Sequence, residues 1–109
     1  MPYTKTEYES VEPVGGGLHF LRDALDCENL GVTVAEVDAG WTGKEHDHGS
    51  DGQEEVYVLL DGEATVTVDG EDVAMESGDA LRIAPESTRQ IHNGDTESRF
   101  VLVGAPDAS

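Results

Sequence analysis

Apolar and polar residues alternate over short stretches along most of this chain, which is the pattern of β-strands with one buried face. Residues 30–37 show it well, because Val32, Val34 and Val37 are separated by smaller or polar side chains. Comparable short segments follow, with a turn between each and the next. They cover residues 55–60, 64–68, 72–75, 80–84, 89–93 and 98–103. The pattern predicts an all-β sandwich or barrel.

Glycines mark the connections between these predicted strands. Asp61-Gly62 and Asp69-Gly70 are dipeptides that favour two-residue turns, so each predicts a β-hairpin. Residues 1–17 are polar and end in a run of glycines, which predicts an N-terminal tail or an edge strand. Residues 19–25 fit either a short helical turn or a strand. Residues 18–109 are predicted to form a single barrel domain, a size that suits one hydrophobic core.

One predicted strand is apolar on both faces. Residues 56–60 read Val-Tyr-Val-Leu-Leu, whereas a half-exposed strand would alternate between apolar and polar residues. Either a second sheet layer or a partner subunit must therefore cover the outer face of this strand. On this basis we predict a homodimer.

The charge balance is strongly acidic, with 24 Asp and Glu against 6 Lys and Arg and a net charge of −18. Nucleic acids and anionic membrane surfaces would be repelled, so neither is an expected partner. The simpler explanation is solvation, because such acidity resembles the proteins of halophilic archaea that accumulate salt. A halophilic archaeal origin predicts a protein that becomes more stable as salt screens its like charges.

Targeting and redox signals are few. No apolar run is long enough to span a membrane, and the N-terminus lacks the charged and then apolar layout of a signal peptide. We therefore predict a cytoplasmic protein. Cys27 is the only cysteine, which rules out an internal disulfide and disfavours a thiolate metal site.

The candidate chemistry lies in a loop and in the strand that follows it. His46 and His48 are two residues apart, so in an extended segment their rings point to the same face. A following antiparallel strand can bring Glu55 beside them. Two imidazoles and a carboxylate suit a divalent transition metal such as Mn, Fe, Co, Ni or Zn, with positions left open for Lewis-acid or oxygen chemistry. The alternative is that both histidines are simply solvated in an acidic loop.

These residues belong to a longer pattern, from Gly40 to Asn93, that resembles the cupin superfamily. The first cupin motif is matched, with a longer gap than usual between its second histidine and its glutamate. The matching residues are Gly40, His46, His48, Glu55 and Gly62. The resemblance implies a double-stranded β-helix, or jelly-roll barrel, in which residues 49–53 bulge as a loop beside the site.

The second cupin motif opens at Gly78 and closes at Asn93, and its metal-binding histidine is replaced by Arg89. A guanidinium stays protonated and cannot coordinate a cation. Two outcomes follow. Arg89 either pairs with Glu55 inside the barrel, leaving the histidines as hydrogen-bonding groups, or turns aside to bind an anion next to a three-ligand metal site.

Other residues near the motifs have two interpretations each. Tyr57 lies two residues after Glu55, so on a strand both side chains face the same side. Tyr57 therefore either lines the pocket or packs in the core. Arg82, on the preceding strand, is a second candidate anion contact, with an outward ion pair as the alternative. Trp41 either caps the mouth of the barrel or packs under it. His19 is predicted to be structural, and His92 is predicted to be a surface or interface residue.

The combined pattern predicts a pocket that binds a small anionic molecule, with or without a divalent metal. Two alternatives remain open: a metal-dependent enzyme of dioxygenase, isomerase or epimerase type, and a non-catalytic structural dimer whose pocket is vestigial. Cupins include proteins of all these kinds, so the fold does not choose among them.

Overall fold

The chain is almost entirely β-structure. The computed structural model describes residues 2–106, which contain a 3₁₀ turn, η1 (Tyr8–Ser10), and eight strands. The strands are β1 (Leu18–Phe20), β2 (Gly31–Val37), β3 (Glu54–Asp61), β4 (Glu63–Val68), β5 (Glu71–Glu76), β6 (Ala80–Ile83), β7 (Arg89–Asn93) and β8 (Ser98–Ala105). Strands β2 to β8 are the predicted ones. No helix in residues 2–106 is long and apolar enough to cross a membrane.

The strands form two antiparallel sheets that pack face to face. The larger sheet has the strand order β1-β2-β8-β3-β6, and the smaller sheet has the order β5-β4-β7. The chain therefore crosses from one sheet to the other between β3 and β4 and again at each connection from β5 to β8. This is the topology of a jelly roll, so the predicted fold class is confirmed.

The core lies between the sheets and is filled by the inward side chains of each strand. Strand β2 shows the reason, because burial alternates along it and Ala35 is fully enclosed while its neighbours are half-buried. Burial of each large apolar side chain stabilises the fold by roughly 1.5–3 kcal/mol. The largest fully buried apolar side chains are Val37, Leu59, Val66, Ile83 and Phe100.

The turn at Asp69-Gly70 is a hairpin, as predicted. It joins β4 to β5 through two residues, since Val68 pairs with Glu71. Both turn residues have positive φ, 50° at Asp69 and 82° at Gly70, as a type I′ turn requires.

The prediction of a hairpin at Asp61-Gly62 is wrong. Strand β3 pairs with β6 and β8, whereas β4 pairs with β5 and β7, so this dipeptide connects the two sheets. Gly62 has a φ of 113°, and a Cβ at this position would collide with the Ser98 side chain. The glycine is therefore required by the close approach of β8, not by a two-residue turn.

The segment before β1 is attached to the edge of the larger sheet. Val14 forms a bridge with Leu18, and the Trp41 Nε1 donates to the Gly15 carbonyl at 2.8 Å. His19 is buried, with its Nδ1 2.7 Å from the Val11 carbonyl oxygen, which fits the predicted structural role. Of residues 19–25, only the first two are strand, and residues 22–25 form turns. The division into a tail and a barrel at residue 18 stays a prediction.

The two faces of β3 have different surroundings. Tyr57 and Leu59 point inward and are covered by the smaller sheet. Val56 and Val58 point outward and are only half-buried. The second sheet layer thus accounts for one apolar face of this strand, and the other face stays partly exposed in a single chain.

Candidate metal centre and its cavity

The histidine loop is positioned by backbone hydrogen bonds to β7 of the smaller sheet and to the loop before β7. Gly43 N donates to the Ile91 carbonyl at 2.9 Å, and His46 exchanges two backbone bonds with Arg89, at 3.0 and 2.8 Å. His48 N then donates to the Pro85 carbonyl at 2.8 Å. These bonds hold the segment extended at the first histidine, so both imidazoles project toward β3.

The predicted ligands converge. His46, His48 and Glu55 each offer a ligand atom within 4.8 Å of the others. The two imidazole rings meet edge to face with centroids 5.0 Å apart, and His48 Nε2 lies 3.2 Å from Glu55 Oε1. All three side chains are half-buried and line a cavity.

Each imidazole is oriented by an acceptor at its Nδ1. His46 Nδ1 donates to the Lys44 carbonyl at 2.9 Å, and His48 Nδ1 donates to the Asp51 carboxylate at 3.2 Å. Such outer partners are typical of metal-binding histidines, because they fix the ring and its tautomer. Both Nε2 atoms are therefore left to face the centre of the site.

The residues that lengthen the first motif supply one of these partners. Residues 49–52 form a turn closed by the bond from Gly52 N to the His48 carbonyl at 2.7 Å. This turn brings Asp51 back against His48. The role of Asp51 was missed by sequence reasoning, although the unusual loop length marked the place.

Arg89 is completely buried beneath the site. Its Nη1 donates to Glu55 Oε1 at 3.0 Å and its Nη2 to the Ala84 carbonyl at 2.6 Å, while its Nε has no partner within residues 2–106. The arginine does not line the cavity. Of the two predicted outcomes, the structure shows the ion pair with Glu55, and the prediction that Arg89 contacts a ligand is corrected by its burial.

Tyr57 lies beside the same carboxylate. It is a core residue, 2% exposed, and its hydroxyl donates to Glu55 Oε1 at 3.4 Å, yet its ring also forms part of the cavity wall. Burial raises the pKa of the Tyr57 phenol, and the negative charge of Glu55 raises it further. Because Arg89, Tyr57 and His48 all reach Oε1, the other carboxylate oxygen remains available.

Arg82 is not part of the site. It pairs across the strands with Val56, so its side chain lies on the outer face of the larger sheet. There it is 61% exposed and forms an ion pair with Glu54. The expectation that Arg82 contacts a ligand is therefore corrected, since register places it on the opposite face from Glu55.

The cavity has a volume of about 450 Å³, within the usual range for small-molecule sites. Trp41 forms part of the cavity wall. It is therefore neither only a cap over the mouth of the barrel nor only a packing residue beneath it. The wall also includes two cations that sequence reasoning missed, Arg22 and Lys44. His92 lies outside the cavity, on β7 opposite Thr65.

The chain belongs to the cupin family, because residues 33–104, more than half of its length, match the family model described as Cupin domain. A cupin protein from Bacteroides fragilis has a similar crystal structure, with a TM-score of 0.83 and 29% identity over 100% of this chain and 88% of that one. An uncharacterised protein of Streptomyces coelicolor is 28% identical over 103 residues, which are 94% of this chain and 91% of that protein. A Mycobacterium tuberculosis protein named beta-D-galactosidase is 41% identical over 51 residues, less than half of either chain.

Proposed function

We propose that this protein binds a small anionic molecule in the cavity, next to a divalent transition metal ion held by His46, His48 and Glu55. The main support for a metal ion is the 3.2 Å separation of His48 Nε2 and Glu55 Oε1. With the Nδ1 proton directed at Asp51, a neutral His48 presents a lone pair at Nε2 to the carboxylate, and either a proton on Nε2 or a bound cation makes this contact favourable. A transition metal fits two imidazoles and a carboxylate.

The ion pair with Arg89 reduces the charge of the site without removing its ligands. Glu55 would contact both the guanidinium and the proposed ion. Its negative charge offsets the positive charge of Arg89, so the three ligands and Arg89 together are close to neutral. A divalent ion would then leave the site positively charged. When bound, it would supply a Lewis acid toward an oxygen of the ligand.

An anionic ligand is favoured by the charges on the cavity wall. Arg22 and Lys44 line the cavity together with a single glutamate, Glu55, whose charge Arg89 already offsets. This local excess of positive charge occurs in a chain whose net charge is −18. Fixed cations in a cavity concentrate counter-charged ligands there, even when the rest of the molecule repels them.

The name of the Mycobacterium relative does not lead us to propose glycoside hydrolysis. Glycosidases generally use two carboxyl groups about 5–9.5 Å apart, one of them an acid or base for the leaving group or water. Among the described residues that line the cavity, Glu55 is the sole carboxylate, and Arg89 engages it. Metal-assisted binding therefore fits these residues better than acid–base hydrolysis.

Calorimetric titration of chelator-treated protein, without a histidine tag, tests the proposal. Mn²⁺, Co²⁺ and Zn²⁺ are the probes, and at least one should bind with one ion per chain. His46→Ala and His48→Ala should each abolish this binding, whereas His92→Ala, a matched change outside the cavity, should leave it intact. Failure of all three ions to bind, or equal effects of the three substitutions, would overturn the metal site.

We also propose that the outer face of the larger sheet is the contact between two copies of the chain. Two ion pairs border this face, Arg82 with Glu54 and Arg99 with Glu36, so its charges largely cancel on a molecule that is otherwise acidic. Two such faces can approach without the repulsion expected elsewhere. The half-buried apolar residues of this face are Val32, Val34, Val56, Val58, Val101 and Val103.

Light scattering coupled to gel filtration in molar KCl tests the dimer. The wild type should have the mass of two chains. Val101→Glu places a charge in the middle of the face, between Val34 and Val58, and should give the mass of one chain. Thr65→Glu, on the outer side of the smaller sheet, should remain dimeric. A monomeric wild type would reject the proposed contact.

A further inference from the structure

Arg22 differs from the other arginines in having no acidic partner among residues 2–106. Within residues 2–106, each of the three others forms an ion pair with a glutamate, whereas Arg22 forms none. Its half-buried side chain contributes to the cavity wall. Among the arginines that the structure describes, a guanidinium without a carboxylate is the exception, and this one is open to a ligand in the cavity.

Two glycines make room for this guanidinium beside the candidate metal centre. Gly31 on β2 and Gly104 on β8 lie directly opposite each other. A Cβ on Gly31 would lie 2.9 Å from Arg22 Nη2, and a Cβ on Gly104 would lie 3.4 Å from Glu55 Oε2. The two charged groups thus lie over neighbouring glycines on the inner face of one sheet, and any larger side chain would fill the space there.

The remainder of the cavity wall is mainly apolar. Leu18, Trp41, Ile91 and Leu102 contribute side chains to it, drawn from both sheets and from the histidine loop. A ligand that occupied only the polar end would leave this apolar surface in contact with water. A molecule with an apolar body would cover it, and transfer of that body out of water would favour binding.

We propose that Arg22 binds the carboxylate of a ligand whose remaining body is apolar. The inference rests on the proposed small-molecule binding and adds the class of ligand and the residue that selects it. A guanidinium binds a carboxylate through two parallel N–H···O bonds. One singly charged group suits this position better than a doubly charged phosphate, because the field of a strongly acidic chain opposes each added negative charge.

Hydrocinnamate, which carries a phenyl group and one carboxylate, is the probe. Its uncharged amide tests the need for the charge, and propionate tests the need for the apolar body. Trp41 is the only tryptophan and lies in the cavity wall, so its fluorescence reports occupancy. Titrations use the full chain, with and without a chelator, so that binding to Arg22 is separated from binding to a metal.

Hydrocinnamate should bind the wild type, and both its amide and propionate should bind at least about tenfold more weakly. Arg22→Gln should lower the affinity for hydrocinnamate to that of the amide and leave amide binding unchanged. Arg22→Lys should restore part of the loss, and Arg82→Gln, the matched change on the outer face, should have no effect. Gly31→Ala keeps the charge but displaces the guanidinium, so it should weaken hydrocinnamate binding as well.

Three results would overturn the inference: no binding of hydrocinnamate, equal binding of hydrocinnamate and its amide, or unchanged hydrocinnamate binding by Arg22→Gln. Metal titration of the same samples separates this failure from that of the proposed function. Stoichiometric metal binding with any of the three results rejects only the carboxylate subsite. Absence of both metal binding and probe binding rejects the proposed function too.

Discussion

Arg89 Nη1 lies 3.0 Å from Glu55 Oε1, and this pair joins a fully buried cation to the carboxylate of the candidate metal centre. In the family pattern, the position of Arg89 belongs to a metal-binding histidine. Here the residue contacts the site without being able to coordinate an ion. Arg89 thus supports the candidate ligand Glu55 instead of offering a ligand atom itself.

Replacement of Arg89 by Met should strongly destabilise the protein. Removal of one partner leaves the half-buried Glu55 without its counter-charge, and the loss of such a partner typically costs about 3–5 kcal/mol. The free energy of unfolding from urea denaturation measures the effect. Arg82→Met, in the exposed pair with Glu54, should cost no more than about 1 kcal/mol. Equal losses in the two variants would show that burial does not set the strength of the Arg89 pair.

Replacement of Arg89 by His should increase metal affinity. The Arg89 side chain points at Glu55, so an imidazole there adds a neutral donor and removes a positive charge that repels the ion. Calorimetric titration with Mn²⁺ and Zn²⁺ should give tighter binding than in the wild type. The same change at Arg82, on the outer face, provides the control. Unchanged affinity in Arg89→His would mean that residue 89 does not face the ion.

Alternation along single strands predicted most of β2 to β8, because these strands have one face toward the core, whereas β3 was recognised as a short apolar run between turns. A hairpin was wrongly predicted at Asp61-Gly62, because the role of Gly62 depends on its contact with Ser98, far away in the chain. The histidine pair and Glu55 were accessible through their spacing and the family resemblance. Arg22 was not, because it lies on a turn outside both motifs and reaches the cavity only through the pairing of β1 with β2.

Asp51 should act on metal binding through His48. Desolvation raises the pKa of Asp51, but hydrogen bonds from His48 and Gln53 outweigh it, so the pKa is lowered overall and the group stays ionised. Asp51→Asn should lower metal affinity by about 10–100-fold, as is usual for the outer partner of a metal-binding histidine. Asp47→Asn, in the same loop, keeps the acceptor for Gly49 N and should leave the affinity unchanged. A similar loss in both variants would indicate a general effect on the loop.

Tyr57 should make the fold sensitive to alkali. Its pKa is raised in the folded state, chiefly by burial, so above the ordinary pKa of about 10 the unfolded chain loses this proton while the folded chain retains it. Stability from this group is complete below that pH and falls as the pH rises further. Urea denaturation from pH 9 to about 11 should show a smaller decline for Tyr57→Phe than for the wild type. Tyr3→Phe, at an exposed position, should decline like the wild type.

Glu63 and Glu76 lie directly opposite each other on β4 and β5, and both are exposed. Like charges in this arrangement repel, so Glu63→Gln should stabilise the protein in dilute buffer by about 0.2–1 kcal/mol. The screening length falls from about 30 Å at 0.01 M salt to about 3 Å at 1 M, so this gain should disappear as KCl is added. Over the same range the wild type should become more stable, because the other like charges are screened as well.

Glu71→Gln is the control for this prediction. Glu71 lies opposite Val68, so the change removes a charge without a direct like-charged neighbour and should stabilise the protein less. Thermal melts across a KCl series measure all three proteins, and a wild type whose melting temperature does not rise with KCl would contradict the prediction, made from the acidic composition, that salt stabilises this protein.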